Sequence, residues 1–355
     1  MRLSLLTLEY PPQKGGIASY YRGIVDALRS KGYEMEVIHD GLLFRRFWPR
    51  WVRGITTLRK HIAAKKPDLL LIGQILPLGA VAWMLRKKAT YAVFLHGMDI
   101  LSAKQSSRKR WIARKILGEA KFIVVNSDFT GKQVTAYGAA LAEKTVRVYP
   151  CPTARVSPSP ETVETLRRKL GLSGKRMFIT MGRVVERKGH DRVIRALPKI
   201  LERIPEAIYI VAGLGSYLDK LTRLATELGV QHAVRFVGGV SDEERAALFD
   251  LCDFCIMPSR QNGADVEGFG LVFLEAALSG KPSIGGRSGG IPEAILDEET
   301  GLLVDPEDVD TIADASIRLL TDDALRATLG RQARTRAQNE FTWKKQIQPL
   351  LKRLV

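Results

Sequence analysis

Glu267 and Glu275 bracket the apolar run in EGFGLVFLEAALSGKPSIGGRSGGIPE, residues 267–293. Residues eight apart lie roughly 80° off a common face of one ideal helix. Gly268 and Gly270 interrupt any helix between the two acids, so a helix is expected only from about Gly270 to Leu278, with Gly280 as its C-terminal cap. Glu267 then belongs to the preceding loop and Glu275 to the helix. The amides of the first helical turn lie between them and suit an anion. Two carboxylates for hydroxyls, with amides for phosphates, fit one elongated ligand carrying both groups. A plain amphipathic helix with an exposed glutamate is the alternative, but it does not explain a glutamate inside LVFLEAAL.

Four further stretches carry candidate chemistry. In TMGRVVERKGHDRVIRAL a strand ends at Met181-Gly182, and Arg183 and Lys188, five apart, can clamp a diphosphate from two sides. Arg187 reads there as part of a solvated charge run. In YPPQKGGIASY, Gly15-Gly16 stands between a strand and a helix and serves either a phosphate or a tight turn. The full G-x-G-x-x-G spacing is absent, so a dinucleotide fingerprint is not supported. In VFLHGMD, His96 follows a strand, with Gly97 and Asp99 close behind; it suits a sugar hydroxyl or a proton, or a structural role. The segment Phe44–Lys66 interleaves basic residues with Phe and Trp. It reads either as an interfacial membrane segment or as a helix covering the first sheet. The second basic cluster, Lys104–Lys115, favours an anionic surface.

These residues need a scaffold. Near-continuous apolar strands alternate with amphipathic helices along the whole chain, the mark of parallel sheets covered on both faces. The Pro- and Ser-rich stretch CPTARVSPSPETVE divides the chain, with Ser159 or Thr162 as the cap of the next helix. The expectation is α/β, with two doubly wound Rossmann-like domains, 1–157 and 158–340, facing a cleft where ligands bind. The basic helical segment 341–355 is a candidate for packing back onto the first domain.

The chain of 355 residues is 45% apolar and 26% charged, an ordinary core-forming composition. No apolar run is long enough to span a bilayer, and the N-terminus reads as a first strand and not a signal peptide. Cys252-x-x-Cys255 lacks the second pair of a zinc site, so both read as inert core cysteines of a reducing compartment. The net charge of +17 is uneven: residues 1–150 hold 26 basic against 10 acidic residues, while residues 151–355 hold 29 against 28. An anionic partner for the first half is expected: membrane surface, phosphorylated lipid or nucleic acid.

Gly15-Gly16, HGMD, GRVVERKG, the E-x(7)-E pair and SGGIPE, in this order, resemble the retaining GT-B glycosyltransferases of family 4, the group 1 glycosyltransferases. The stretch GADVEGFGLVFLEAALSGKPSIGGRSGG is similar to bacterial GDP-mannose-dependent mannosyltransferases acting on phosphoinositol or polyprenyl-linked acceptors. The resemblance implies catalytic roles for His96, Arg183, Lys188 and Glu267. His96 would face the sugar, Arg183 and Lys188 would neutralise the departing diphosphate, and Glu267 would bind sugar hydroxyls. It implies donor binding by Gly15, Gly16, Gly182, Gly238, Val240, Phe269, Gly270, Leu271 and Glu275. Gly16 would give its amide to the diphosphate, Glu275 would hold the ribose, and the loop at Gly238–Val240 would lie by the base. No metal and no separate cofactor are implied, the nucleotide sugar being substrate, with GDP-sugars favoured over UDP-sugars. Retention would follow from same-face attack, the departing phosphate accepting the acceptor's proton.

The reading is therefore a cytoplasmic hexosyltransferase, peripheral on the inner face of the plasma membrane, acting on a lipid-linked or envelope glycan. A soluble sucrose- or trehalose-type synthase or an epimerase on the same scaffold is the alternative enzyme. A basic nucleic-acid binder accounts for the charge alone and leaves the glycines and acids unexplained, so no nucleic-acid partner is expected.

Overall fold

The computed structural model describes residues 1–13, 15–42 and 51–355. The chain forms two compact units, Met1–Cys151 with Thr342–Val355, and Pro152–Phe341. The division falls after Cys151, earlier than the expected 157, because the intervening residues bond within the second unit. Arg155 pairs with Asp250 and reaches Ser279, and the Ser159 amide donates to Glu243. Ser159 caps the following helix through the Thr162 amide.

In the first unit the strands are β1 (Arg2–Leu6), β2 (Glu34–Ile38), β3 (Leu69–Ile72), β4 (Tyr91–Leu95), β5 (Ile123–Val125) and β6 (Thr145–Arg147). They form a parallel sheet in the order β2-β1-β3-β4-β5-β6. The central strands LLLI and YAVFL are buried throughout, as a sheet covered on both faces requires. On one face Tyr20, Tyr21, Ile24 and Leu28 of the helix Gly16–Arg29 pack with Ile347, Leu350 and Leu354 from the C-terminal segment.

The second unit holds β7 (Arg176–Met181), β8 (Ala207–Ala212), β9 (Val234–Gly238), β10 (Phe254–Met257), β11 (Ser283–Gly286) and β12 (Gly301–Val304). Their order is β12-β11-β10-β7-β8-β9, again parallel. In each sheet the winding reverses once, between β1 and β3 in the first and between β7 and β10 in the second. Loops at the carboxyl ends of those strand pairs flank a crevice, the ligand position of open α/β sheets.

Residues 44–50 of the basic segment lie outside the described residues. Its described remainder, the helix Val52–Lys65, turns Leu58, Ile55 and Ile62 into the core and leaves Arg53, Arg59, Lys60 and Lys65 exposed. The apolar face of that helix covers the sheet, so only its basic face meets solvent. Among the described residues no helix is long and apolar enough to cross a membrane. Cys252 and Cys255 are buried free thiols, and burial pushes Cys252 up to about 12.

Candidate functional site

In the second unit the predicted residues gather where the winding reverses. Arg183, Arg187 and Lys188 follow β7, and Glu267 lies in the loop after β10. The two loops join through charge. Arg187 Nη1 donates to Glu267 Oε2 at 2.7 Å, Arg187 Nε lies 2.7 Å from Asp265 Oδ1, and Lys188 Nζ lies 3.7 Å from Glu267 Oε2. Both cations meet the same carboxylate oxygen, Oε2. Burial pushes the Glu267 carboxyl up, but Lys188, Arg187 and Arg183 outweigh it and hold the group below its ordinary value. Burial draws Lys188 below its ordinary value, partly countered by Glu267.

Arg187 is therefore not the solvated cation expected from the sequence. It is 7% exposed and anchors the carboxylate, whereas Arg183 is exposed. The 3-10 turn Glu186–Lys188 makes the difference, because it turns both Arg187 and Lys188 inward. Gly182 fits this arrangement. Its φ is +137°, and a methyl placed on it would sit 2.8 Å from Lys188 Nζ.

Glu275 lies on the helix Leu271–Leu278, one turn from its start, and Gly270 opens that helix with φ +98°. The loop-and-helix split of the two glutamates is as the glycine spacing predicts. Phe269 is buried, its ring 5.6 Å from Phe341, so its backbone and not its ring is what a ligand can meet. Leu271 supplies the first helical amide. Burial raises the Glu275 carboxyl, and Arg245 Nη1, 3.7 Å away, opposes this. Arg245 comes from the helix Asp242–Leu251 and carried no signal in the sequence. Gly238 ends β9 with φ +72°, Val240 follows two residues later, and exposed Leu214 lies against Gly238 and Gly239.

The SGG of the opening stretch has a packing role. Methyls on Gly289 and Gly290 would fall 2.2 Å from the Glu267 carbonyl and 2.1 Å from that of Gly268. The Gly290 amide donates to the Glu267 carbonyl at 3.0 Å. The segment thus clamps the loop that carries Glu267. A groove of about 460 Å³ lies elsewhere, between the helices His190–Arg203 and Leu218–Glu227, and none of Arg183, Lys188, Glu267 or Glu275 lines it.

In the first unit, Gly15 (φ +155°) precedes the helix Gly16–Arg29, and a methyl on Gly15 or Gly16 would meet nothing within 4 Å. Protein packing does not demand glycine at either position. His96 follows β4, and burial lowers its imidazole to about 4. Its Nε2 lies 2.7 Å from the Tyr21 hydroxyl. Its backbone amide donates to Asp99 Oδ1 at 3.0 Å, and burial raises the Asp99 carboxyl to about 6 against the amides that bond it. Among the described residues no group of three or more His, Cys, Asp or Glu side chains forms a metal-ligand cluster.

Two parallel, doubly wound units, one carrying an acid–cation cluster beside a helix start, are the architecture of the GT-B glycosyltransferases. The family model described as "Glycosyl transferases group 1" matches residues 162–336, and that of a "Glycosyl transferase 4-like domain" matches residues 15–152. A GDP-mannose-dependent alpha-(1-6)-phosphatidylinositol monomannoside mannosyltransferase of Mycolicibacterium smegmatis is 32% identical, over 96% of this chain and 94% of its own. A monoacylated-substrate counterpart from Corynebacterium glutamicum is 30% identical, over 96% and 94%. HepE of Anabaena, solved with UDP and glucose, shares the fold at a TM-score of 0.81 and 20% identity, covering 100% of this chain and 99% of its own. The chain belongs to the group 1 glycosyltransferases. It is a hexosyltransferase that takes its sugar from a nucleotide-sugar donor.

Proposed function

We propose that the chain transfers mannose from GDP-mannose to a lipid-linked acceptor of the phosphoinositol or envelope-glycan type, with retention and without a metal ion. The relatives named as GDP-mannose-dependent, alike over nearly the full length of both chains, support the donor and acceptor class. The ion cluster at the carboxyl ends of β7 and β10 carries the chemistry. The sugar–diphosphate bond breaks most easily where fixed cations and amides meet the charge that develops on the leaving group. Exposed Arg183, buried Lys188 and the amides at Gly270-Leu271 are those groups. They supply the charge that a metal ion would otherwise bring. Glu267 receives sugar hydroxyls, and Glu275 receives the ribose. Gly182 gives Lys188 its room, and the loop Gly238–Val240 borders the base. In the first unit Gly15 and Gly16 leave open space for the diphosphate, and His96 meets a sugar hydroxyl.

Same-face transfer balances without a protein nucleophile. The anomeric carbon–oxygen bond to the diphosphate breaks, the acceptor oxygen bonds to that carbon from the same side, and its proton passes to the departing phosphate.

A membrane surface is the natural place for a lipid-linked acceptor, and the first unit supports an anionic one. Trp111 on the helix Ser107–Glu119 is 54% exposed, with Lys115 Nζ 5.8 Å from its ring centroid. Trp83 meets Trp111 edge-on at 6.1 Å, and Arg86 lies over Trp83 at 4.8 Å. An exposed tryptophan among lysines and arginines is the composition of an interfacial anchor. We place the enzyme on the cytoplasmic face of the membrane, where nucleotide sugars are made. A soluble sugar acceptor would give no role to this surface.

The test is transfer from GDP-mannose to a phosphoinositol mannoside acceptor in mixed micelles, with anomeric configuration read by NMR. Arg183→Ala should lower the rate about 10²–10³-fold, the loss typical of one fixed electrostatic group, while leaving melting unchanged. Full activity in that variant, or an inverted product, refutes the mechanism.

A further inference from the structure

His96 is held by its neighbours in a way that sets which of its two nitrogens can meet a ligand. Tyr21 and Tyr20 are both fully buried on the helix Gly16–Arg29, and both rings meet the His96 ring edge-on at 5.3 Å. Their hydroxyls differ. Tyr20 donates to the Val148 carbonyl at 3.1 Å and does not bond the imidazole. Tyr21 touches two groups, the Gly73 carbonyl and His96 Nε2, the latter at 2.7 Å. A phenol has one proton, and a carbonyl oxygen has none to give. The Tyr21 proton therefore goes to Gly73, and the tyrosine oxygen can only accept from His96. Nε2 must carry the hydrogen, so in the neutral ring Nδ1 holds a lone pair. Burial keeps the ring neutral through the physiological range.

The arrangement rests on rigid elements. Gly73 directly follows β3 and is itself fixed: its amide donates to the Leu6 carbonyl at 2.7 Å, and a methyl on it would sit 2.8 Å from Thr7. Tyr21 lies on the helix that Gly16 opens, so the helix that follows the glycine loop also sets the histidine.

We propose that Tyr21 is a positioning residue that locks His96 in the Nε2–H tautomer, so that Nδ1 meets substrate only as a hydrogen-bond acceptor for a ligand hydroxyl. His96 then cannot protonate the departing diphosphate; it orients a hydroxyl group instead. The catalytic consequence rests on the sugar-transfer reading above, whereas the tautomer lock does not.

Nitrogen-15 NMR of the full chain, labelled at its five histidines, tests the lock directly. His96 is assigned by the signal that His96→Gln removes. Wild type should show the Nε2–H pattern, and Tyr20→Phe should keep it. Tyr21→Phe, which leaves Nε2 without its acceptor, should populate the Nδ1–H form. In the transfer assay Tyr21→Phe should lower kcat about tenfold or more. Donor KM in that variant, and all constants of Tyr20→Phe, should stay within about twofold. Tyr20→Phe removes a comparable buried hydroxyl beside the same ring, so equal losses in both variants overturn the proposal in favour of simple packing. A wild-type Nδ1–H pattern overturns it without any variant, as does an unchanged tautomer in Tyr21→Phe. A wild-type chain that transfers no sugar, yet shifts tautomer in Tyr21→Phe, refutes the transferase reading and upholds the lock.

Discussion

Replacing Arg187 with Met tests whether the buried cations hold the Glu267 carboxylate in its charged form. Arg187 contributes a buried stem and a guanidinium shared between Glu267 and Asp265. Met retains much of the stem and removes the charge. Glu267 then keeps Lys188, 3.7 Å away, and the weaker field of Arg183. Removing one partner of a buried ion pair costs about 3–5 kcal/mol, because the other charge is left uncompensated. Lys188 compensates part of this and Asp265 reaches solvent, so a loss of about 2–3 kcal/mol at neutral pH is expected. The pH dependence is the more discriminating signature. Glu267 titrates below its ordinary value in the native chain. Its contribution to stability is therefore present above the unfolded value and lost as pH falls through the lower folded value. Without Arg187 the folded value rises, so the charged carboxylate stabilises the fold less than it does in wild type. The deficit of the variant relative to wild type should be large near about pH 7.5 and should shrink near about pH 4.5. Scanning calorimetry of both full chains at the two pH values measures it. A deficit that is absent, or that is equal at both pH values, refutes the pairing.

Glu275→Gln should weaken GDP binding about tenfold or more in titration calorimetry, the loss of one charge-assisted hydrogen bond, while melting holds or rises because a buried charge is gone. Trp111→Glu should abolish sedimentation with anionic liposomes at low salt and leave micellar transfer intact; wild-type chain that fails to sediment at low salt rejects the membrane surface.

Much of this site was legible in the sequence. Glycine spacing alone separated Glu267 from Glu275, since Gly268 and Gly270 cannot continue a helix while LVFLEAAL can. Strand ends located Arg183, Lys188 and His96, because apolar runs stop where the parallel sheet stops. What stayed hidden depended on side chains meeting across distant loops. ERK offers three charges in a row, and nothing local says that a 3-10 turn buries the middle one. Arg245 reaches Glu275 from a helix whose own sequence reads as an ordinary capping box. Tyr21 stands on an amphipathic helix with no local signal of its own; its hydroxyl acquires meaning only when the segments after β3 and β4 bring Gly73 and His96 beside it. The two glycines of SGG offer no local sign of their role, which is close approach to the Glu267 and Gly268 carbonyls.

We propose that this chain binds and uses a guanosine diphosphate sugar through the acid–cation cluster of its second unit. The most direct measurement is a melting-shift series with GDP, UDP and ADP on wild type and Arg183→Ala, followed by hydrolysis of GDP-mannose, UDP-glucose and ADP-glucose by wild type. A GDP-selective rise in melting that Arg183→Ala diminishes, with GDP-mannose the donor consumed, is the predicted result. A rise with UDP or ADP instead, or no response to any diphosphate, contradicts it.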